Sequence, residues 1–325
     1  MTSPDANLFQ QQEANRRRTT WLVIGFVLFF AWLGFGGDYI WALEGRHPFP
    51  WLGIAMATLA ILGVWYAYRT GPEKVLWSTG ATELTDPKTD AERQLANVVD
   101  EMAIAAGVPR PRVWIIPDDD PNAFATGHDL GDSHIAVTRG LLAICNRDEL
   151  QGVIGHELGH VKNLDIRLMT MLAALVGAVL LVRDGMGRTM RVGESRKSKN
   201  AGPLLAALVA LWVLSWIFAP LIIQLLALAV QRGREYLADA MSAQFTRNPL
   251  ALASALTKIE AADAPTAAIK RGAAHLCIAD PLGRRFTNSE GWLADRFATH
   301  PPMSMRISRL KGMGYAALKQ AGQPI

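Results

Sequence analysis

Charge is what this sequence has least of. Lysine, arginine, aspartate and glutamate make up 19% of its 325 residues, against about 25% in an ordinary globular domain. Half of the residues are apolar and the mean hydropathy is positive. Such a composition excludes a disordered chain, a coiled coil and a nucleic-acid-coating tail. The 33 basic and 29 acidic residues leave a net charge of +4, too small and too scattered to argue for nucleic acid. Cysteine is also scarce. Cys145 and Cys277 cannot build a disulfide framework, which fits a reducing compartment. Internal repeats and low-complexity tracts are missing. Length alone suggests about two domains, and composition points to a membrane protein.

Four apolar runs carry much of the excess. Trp21 to Leu43 holds a single acid, Asp38, and Trp51 to Tyr68 holds no charge. About 20 apolar residues cross a bilayer as helix, so both qualify. Trp21, Trp41, Trp51, Trp65, Tyr66 and Tyr68 gather near the run ends, as an interfacial belt does. No A-x-A-like site follows the first run, which favours an uncleaved anchor over a signal peptide. Leu168 to Val182 is marginal for spanning, and Pro203 to Val230 is long enough with some tilt. Arg16, Arg17 and Arg18 precede the first run, so the positive-inside rule puts the N-terminus in the cytoplasm. The basic segment 183–200 opposes that rule if the third and fourth runs both cross.

The chemistry-bearing motif is His156-Glu157-Leu158-Gly159-His160. Asn146 and Glu149 read as a capping box ahead of it, and Leu150, Val153, Ile154, Leu158 and Val161 follow with helical spacing. Residues i and i+4 share a helix face, so the two imidazoles converge, with Glu157 beside them in reach of a metal-bound water. Gly152, Gly155 and Gly159 each cost about 1 kcal/mol in a helix, a sign that another backbone or the metal site comes close. Catalytic zinc takes three protein ligands. Glu235 and Asp239 are again i and i+4, so one carboxylate suits the metal and the other a histidine ring N–H. Taken alone, the pair reads as a solvated helix salted by Arg232 and Arg234. Asn163 and Asp165 read slightly better as a helix end than as partners of the site, and His128 and His134 as bystanders. The acidic turn at Asp118, Asp119 and Asp120 lacks calcium-loop spacing.

These two segments, with Asn122-Ala-Phe-Ala-Thr-Gly127 upstream and Thr299-His300-Pro301-Pro302 downstream, resemble the HtpX-like membrane proteases and the related CAAX prenyl endopeptidases. The resemblance runs from about residue 69 to 312. It implies a membrane-embedded zinc metalloendopeptidase with one Zn2+ per chain, held by His156, His160 and Glu235. It further implies Glu157 as base, Asp239 as the partner of a zinc histidine and His300 as a second oxyanion donor. Asn122 and Ala123 are candidates for binding substrate as an added strand. The implied partners are protein or peptide substrates, misfolded membrane proteins among them, and the lipid bilayer; nucleic acid is not expected. The implied place is a bacterial-type inner membrane, multi-pass, with the catalytic part facing the cytoplasm. The competing classes are a non-proteolytic scaffold or holdase that retains zinc, and a transporter using Glu235.

The expected fold is an α+β zincin-like catalytic domain, mostly helical, with two transmembrane hairpins. Its expected division is a cytoplasmic tail (1–20), a hairpin (21–68), the first catalytic half (69–167), an inserted apolar hairpin (168–230) and the second catalytic half (231–325).

Overall fold

The computed structural model describes residues 4–43, 45, 49–172, 175, 234–262, 276–279 and 301–320. Its helices are α1 (Pro4–Leu43), α2 (Trp51–Ser78), α3 (Asp90–Ala106), α4 (Arg139–Ile144), α5 (Arg147–Lys162), α6 (165–172), α7 (234–246), α8 (Pro249–Ala261) and α9 (Met303–Gln320). Its strands are β1 (Thr82–Glu83), β2 (Arg112–Ile116), β3 (Ala123–Gly127) and β4 (Ser133–Thr138). The described chain is mostly helical with one small sheet, as expected. It falls into two compact units. One draws on residues 1–16, 71–170 and 227–325, the other on 17–70 and 171–226.

Two helices, lying for the most part in the second of these, are long and apolar enough to cross a membrane, Gln12–Tyr39 and Trp51–Ser78. Trp21, Leu28, Trp32, Leu59, Ile61 and Trp65 stand exposed along them, a costly arrangement in water and a favourable one in lipid. Asp38, the lone acid of its run, accepts hydrogen bonds from the backbone N–H groups of Leu52 (3.1 Å) and Gly53 (2.6 Å). It thereby satisfies N-terminal donors of α2 that lipid would leave bare. A Cβ on Gly34 would lie 2.7 Å from the Gly53 Cα, so glycine is what lets α1 and α2 touch. The other two apolar runs were expected to form a second hairpin. The third is described only at residues 168–172 and 175, and the fourth, with the basic segment 183–200, lies outside the described residues.

α1 begins at Pro4, a residue suited to the first helical turn. The expected N-terminal tail is therefore helical from Pro4 onward, because residues 5–20 are rich in Gln, Ala, Arg and Glu and hold no breaker.

The other unit is built on the sheet, in order β1-β2-β4-β3. β2 and β4 are parallel, and the outer pairs are antiparallel. β3 and β4 are buried along their whole length, so both faces are covered. α5 packs on β3 and β4, and α3 and α8 pack in turn on α5, through Leu95, Val99, Val153, Ile154, Leu158 and Leu256, all essentially inaccessible. Burying each such side chain contributes about 1.5–3 kcal/mol.

α5 is specified at its start and along one face. Asn146 caps it, accepting from the Glu149 N–H while the Glu149 carboxylate accepts from the Asn146 N–H. Ser254 and Lys258 of α8 close on the same carboxylate at 2.6 and 2.7 Å. Along the face, a Cβ on Gly152 would meet the Leu252 backbone N and Cα at 2.9 Å, and one on Gly159 the Ala238 Cα at 3.1 Å. The glycines are there because the backbones of α7 and α8 are. Ser242 Oγ donates to the Gly152 carbonyl at 2.6 Å, fixing the same contact.

Two stability outcomes follow from α5. Burial pushes the Glu149 carboxyl up, but its bonds from Lys258, Ser254 and the Asn146 N–H outweigh this and hold it below the usual 4.5. Its stabilising effect is thus complete above about pH 4.5 and fades as pH falls through the lowered folded value. Glu149→Gln should cost about 1–3 kcal/mol at pH 7, and the gap from wild type should narrow in acid when unfolding in detergent is followed against pH. Gly152→Ala should destabilise by about 1–3 kcal/mol, although Ala is the better helix former by about 1 kcal/mol, because the new methyl meets backbone rather than a movable side chain. The melting temperature reads the sign directly.

Candidate metal centre

The centre is assembled from α5, the turn behind it, α7 and α9. His156 and His160 lie one turn apart on α5, with Nε2 atoms 3.3 Å from each other. α5 stops at Asn163, and Leu164 takes a left-handed φ of +58°, a conformation costing about 1–3 kcal/mol in a residue that is not glycine. That reversal folds Asp165 back onto α5, where its Oδ2 meets His160 Nδ1 at 3.1 Å. Asp165 is thus a partner of the site as well as the start of α6.

α7 comes close enough at Gly159 and Ala238 for Glu235 to reach both rings. Its Oε2 stands 3.6 Å from His156 Nε2 and its Oε1 3.5 Å from His160 Nε2. Asp239, one turn on, meets His156 Nδ1 at 2.9 Å. Each imidazole therefore has Nδ1 against a carboxylate. That arrangement puts the ring proton on Nδ1 and leaves the Nε2 lone pair facing inward. Two inward lone pairs and a carboxylate at such separations repel unless a proton or a metal ion sits among them.

The spacing fits a particular kind of cation. Donors bonded at about 2.0–2.1 Å around a tetrahedral ion lie about 3.3–3.4 Å from one another, and the three separations here are 3.3, 3.5 and 3.6 Å. Among the described residues, His156, His160 and Glu235 form the group able to hold a metal ion. A cavity of about 20 Å³ opens there, lined by Ala125, Glu157, His160, Ile166, Glu235 and Leu276, room for one ion- or water-sized occupant.

Glu157 faces the same space. It is 1% exposed, and neither carboxylate oxygen has a hydrogen-bond partner among the described residues. Burial pushes its carboxyl up to about 7, with Glu235 adding to the rise and His160 and Arg306 opposing it. Burial also disfavours a charged His160, but the Asp165 bond and the carboxylates of Glu235 and Glu157 prevail and raise it to about 9. Burial and Arg306 lower His156 instead.

Arg306 is the residue that sequence reasoning missed. It is fully buried and grips Asp239 with two bonds, Nε to Oδ2 at 2.9 Å and Nη2 to Oδ1 at 2.7 Å. Its Nη1 donates to the Ile278 carbonyl at 3.1 Å and lies 3.2 Å from Glu235 Oε2. Burial alone would raise the Asp239 carboxyl, but Arg306 and His156 hold it down at about 2. A signal for it exists in the sequence: Met303, Ile307 and Leu310 mark the apolar stripe of α9, and Arg306 sits on that stripe.

Asn122 and Ala123 lie close by in a different role. The Asn122 side chain donates to the Ala279 carbonyl at 3.1 Å, and the Ala123 carbonyl accepts from the Ile278 N–H at 2.9 Å. The edge expected to receive substrate at these two residues is therefore occupied there by the chain's own 276–279 segment. Phe124 pairs antiparallel with Cys277, so the same segment follows this edge as far as Ala125, which lies with Leu276 and Glu157 at the cavity. His134 pairs with Trp114 and Asp132, away from the centre. Asp120, expected in a solvated turn, is buried. His300 lies outside the described residues.

Comparison with known proteins adds a family. The model of peptidase family M48 matches residues 89–314. A protein named protease HtpX homolog from Thermoanaerobacter pseudethanolicus is 40% identical, the match covering 94% of this chain and 98% of that one. One from Leuconostoc citreum is 39% identical over 94% and 100%. Among solved structures, that of S. mikatae Ste24p matches with a TM-score of 0.48 and 17% identity, over 94% of this chain and 67% of the other.

Removing Arg306 would strand Asp239 as a buried, uncompensated charge. Arg306→Met is expected to cost about 3–5 kcal/mol. Arg306→Lys keeps the charge but loses the fork and should fall between it and wild type. Denaturant unfolding in detergent ranks the three.

Proposed function

This chain belongs to peptidase family M48 and is a metalloprotease, and we propose that His156, His160 and Glu235 hold one Zn2+ while Glu157 serves as general base in a zincin-like fold. The observation carrying this reading is Glu157 itself, a buried carboxylate with both oxygens unsatisfied, aimed at the space between three donors at tetrahedral spacing.

When bound, zinc supplies a lowered pKa to a nucleophilic water and polarises the scissile carbonyl. The chain's own residues do the rest. Glu157 takes the proton of the attacking water and gives it to the leaving amine. A carboxyl held near 7 by burial suits both halves of that transfer. Asp239 and Asp165 keep His156 and His160 protonated at Nδ1, and Arg306 keeps Asp239 ionised. Substrate pairs as an extended strand along the edge of β3 near Asn122 and Ala123, the edge on which residues 276–279 lie. Such backbone pairing tolerates many sequences. His300 is assigned to the oxyanion as a second donor, six residues before Arg306 brings α9 to the centre.

Two bilayer-length helices in the same chain support cleavage of misfolded or damaged membrane proteins in quality control. The arginines at 16–18 support a cytoplasmic N-terminus and a catalytic unit on that side of a bacterial inner membrane. A scaffold or holdase with structural zinc would use four protein ligands. The described residues offer three and add a base.

Purified wild type and Glu157→Gln should both carry about one zinc per chain. Cleavage of an unfolded membrane protein should fall by about 10²–10⁴-fold in the variant and stop when a chelator is added to wild type. Undiminished cleavage by Glu157→Gln would remove the base from this reading.

A further inference from the structure

The segment ahead of the first apolar run reaches the metal centre from behind. Asn15 of α1 is 3% exposed, and its side-chain amide donates to Asp165 Oδ1 at 2.7 Å and to the Asn163 carbonyl at 3.0 Å. Those two acceptors lie on the reversal that carries Asp165 back to α5. Asp165 divides its oxygens: Oδ1 goes to Asn15, while Oδ2 goes to His160 Nδ1. One turn earlier on α1, Gln12 donates to the Lys162 carbonyl at 2.6 Å. A relay of named atoms thus runs from α1 through Asp165 to a ring nitrogen of the centre.

We propose that Asn15 is a positioning residue of the metal centre, acting through Asp165 to fix the orientation and Nδ1–H tautomer of His160. An amide has two N–H donors, and both are directed at this turn. Without them Asp165, 1% exposed, keeps Arg234 as a neighbour at 3.6 Å from the same Oδ1 but loses its shortest hydrogen bond. A carboxylate free to swing toward Arg234 no longer holds the imidazole. Carboxylates that orient metal-binding histidines are worth about 10–100-fold in metal affinity, and Asn15 does for Asp165 what Asp165 does for His160. Asn15 is then a working part of the centre, 150 residues away in sequence from the carboxylate it orients.

The inference rests on His160 being a zinc ligand, and the test separates the two ideas. Zinc affinity is measured by competition with a chromogenic chelator on the full-length protein in detergent, for wild type, Asn15→Ala, Asn15→Leu, Gln12→Ala and Glu235→Gln. Asn15→Leu fills the amide's volume without its donors, so it guards against a packing defect in the alanine variant. Expected are a 10–100-fold weaker affinity in each folded Asn15 variant, a Gln12→Ala value within about twofold of wild type, and a large loss in Glu235→Gln. Wild-type affinity in either folded Asn15 variant would overturn the positioning role. So would an equal loss in Gln12→Ala, which would mark general docking of α1. If wild type binds no zinc, or Glu235→Gln binds as well as wild type, it is the metal assignment that fails.

Discussion

Gly159 allows α7 to lie so near α5 that a single methyl group would press on the Ala238 Cα at 3.1 Å, and the centre depends on that approach. Three residues before Ala238 stands Glu235, and one residue after it Asp239. Between them, these carboxylates reach Nε2 of both histidines and Nδ1 of His156. Carboxylate side chains are short. With α7 further out, the three donors would still exist but would no longer lie at the edges of one small tetrahedron. Glycine in a helix costs about 1 kcal/mol, and the three in α5 are kept where other backbones come close.

Electrostatics sets the second condition. Four carboxyls around two imidazoles would repel one another in a dry interior, and desolvation alone would drive protons onto them. Arg306 prevents this at Asp239, whose carboxyl it holds at about 2. Among the described residues no comparable grip exists for Glu157, whose carboxyl rises to about 7. The two acids differ because of their neighbours: one is locked as a permanent anion that orients a ring, the other is left able to exchange a proton. Separation of this kind is how a single site gains both a fixed scaffold and a movable proton.

Much of the centre could be read in the sequence because its logic is local. The pairs His156/His160 and Glu235/Asp239 need only the 3.6-residue period of a helix, and the Asn146/Glu149 box only a three-residue spacing. The first two apolar helices follow from run length. Arg306 and Asn15 were harder, since each reaches the carboxylate it holds across 67 residues or more. Asp165 was hidden for another reason. Its role depends on a left-handed Leu164, and a leucine gives no hint of positive φ as a glycine would. The pairing of residues 276–279 with Ala123 and Phe124 is likewise encoded in no local pattern.

The same long-range assembly bears on how the centre forms. Its side chains come from Asn15, from 156–165, from 235–239 and from Arg306, four separated segments gathered in one compact unit. An unfolded chain holds His156 and His160 near each other but has no means of bringing Glu235 to them, so it offers a metal ion at most two of three donors. An ion that binds the assembled set better than the scattered one stabilises the folded state by that difference in affinity. At the donors the ion takes the place of a proton held between two Nε2 atoms 3.3 Å apart and a carboxylate. Asp165, Asp239, Arg306 and Asn15 make no use of the ion directly. Their contribution is to hold the rings and the carboxylate in place beforehand, so that binding spends little on ordering them.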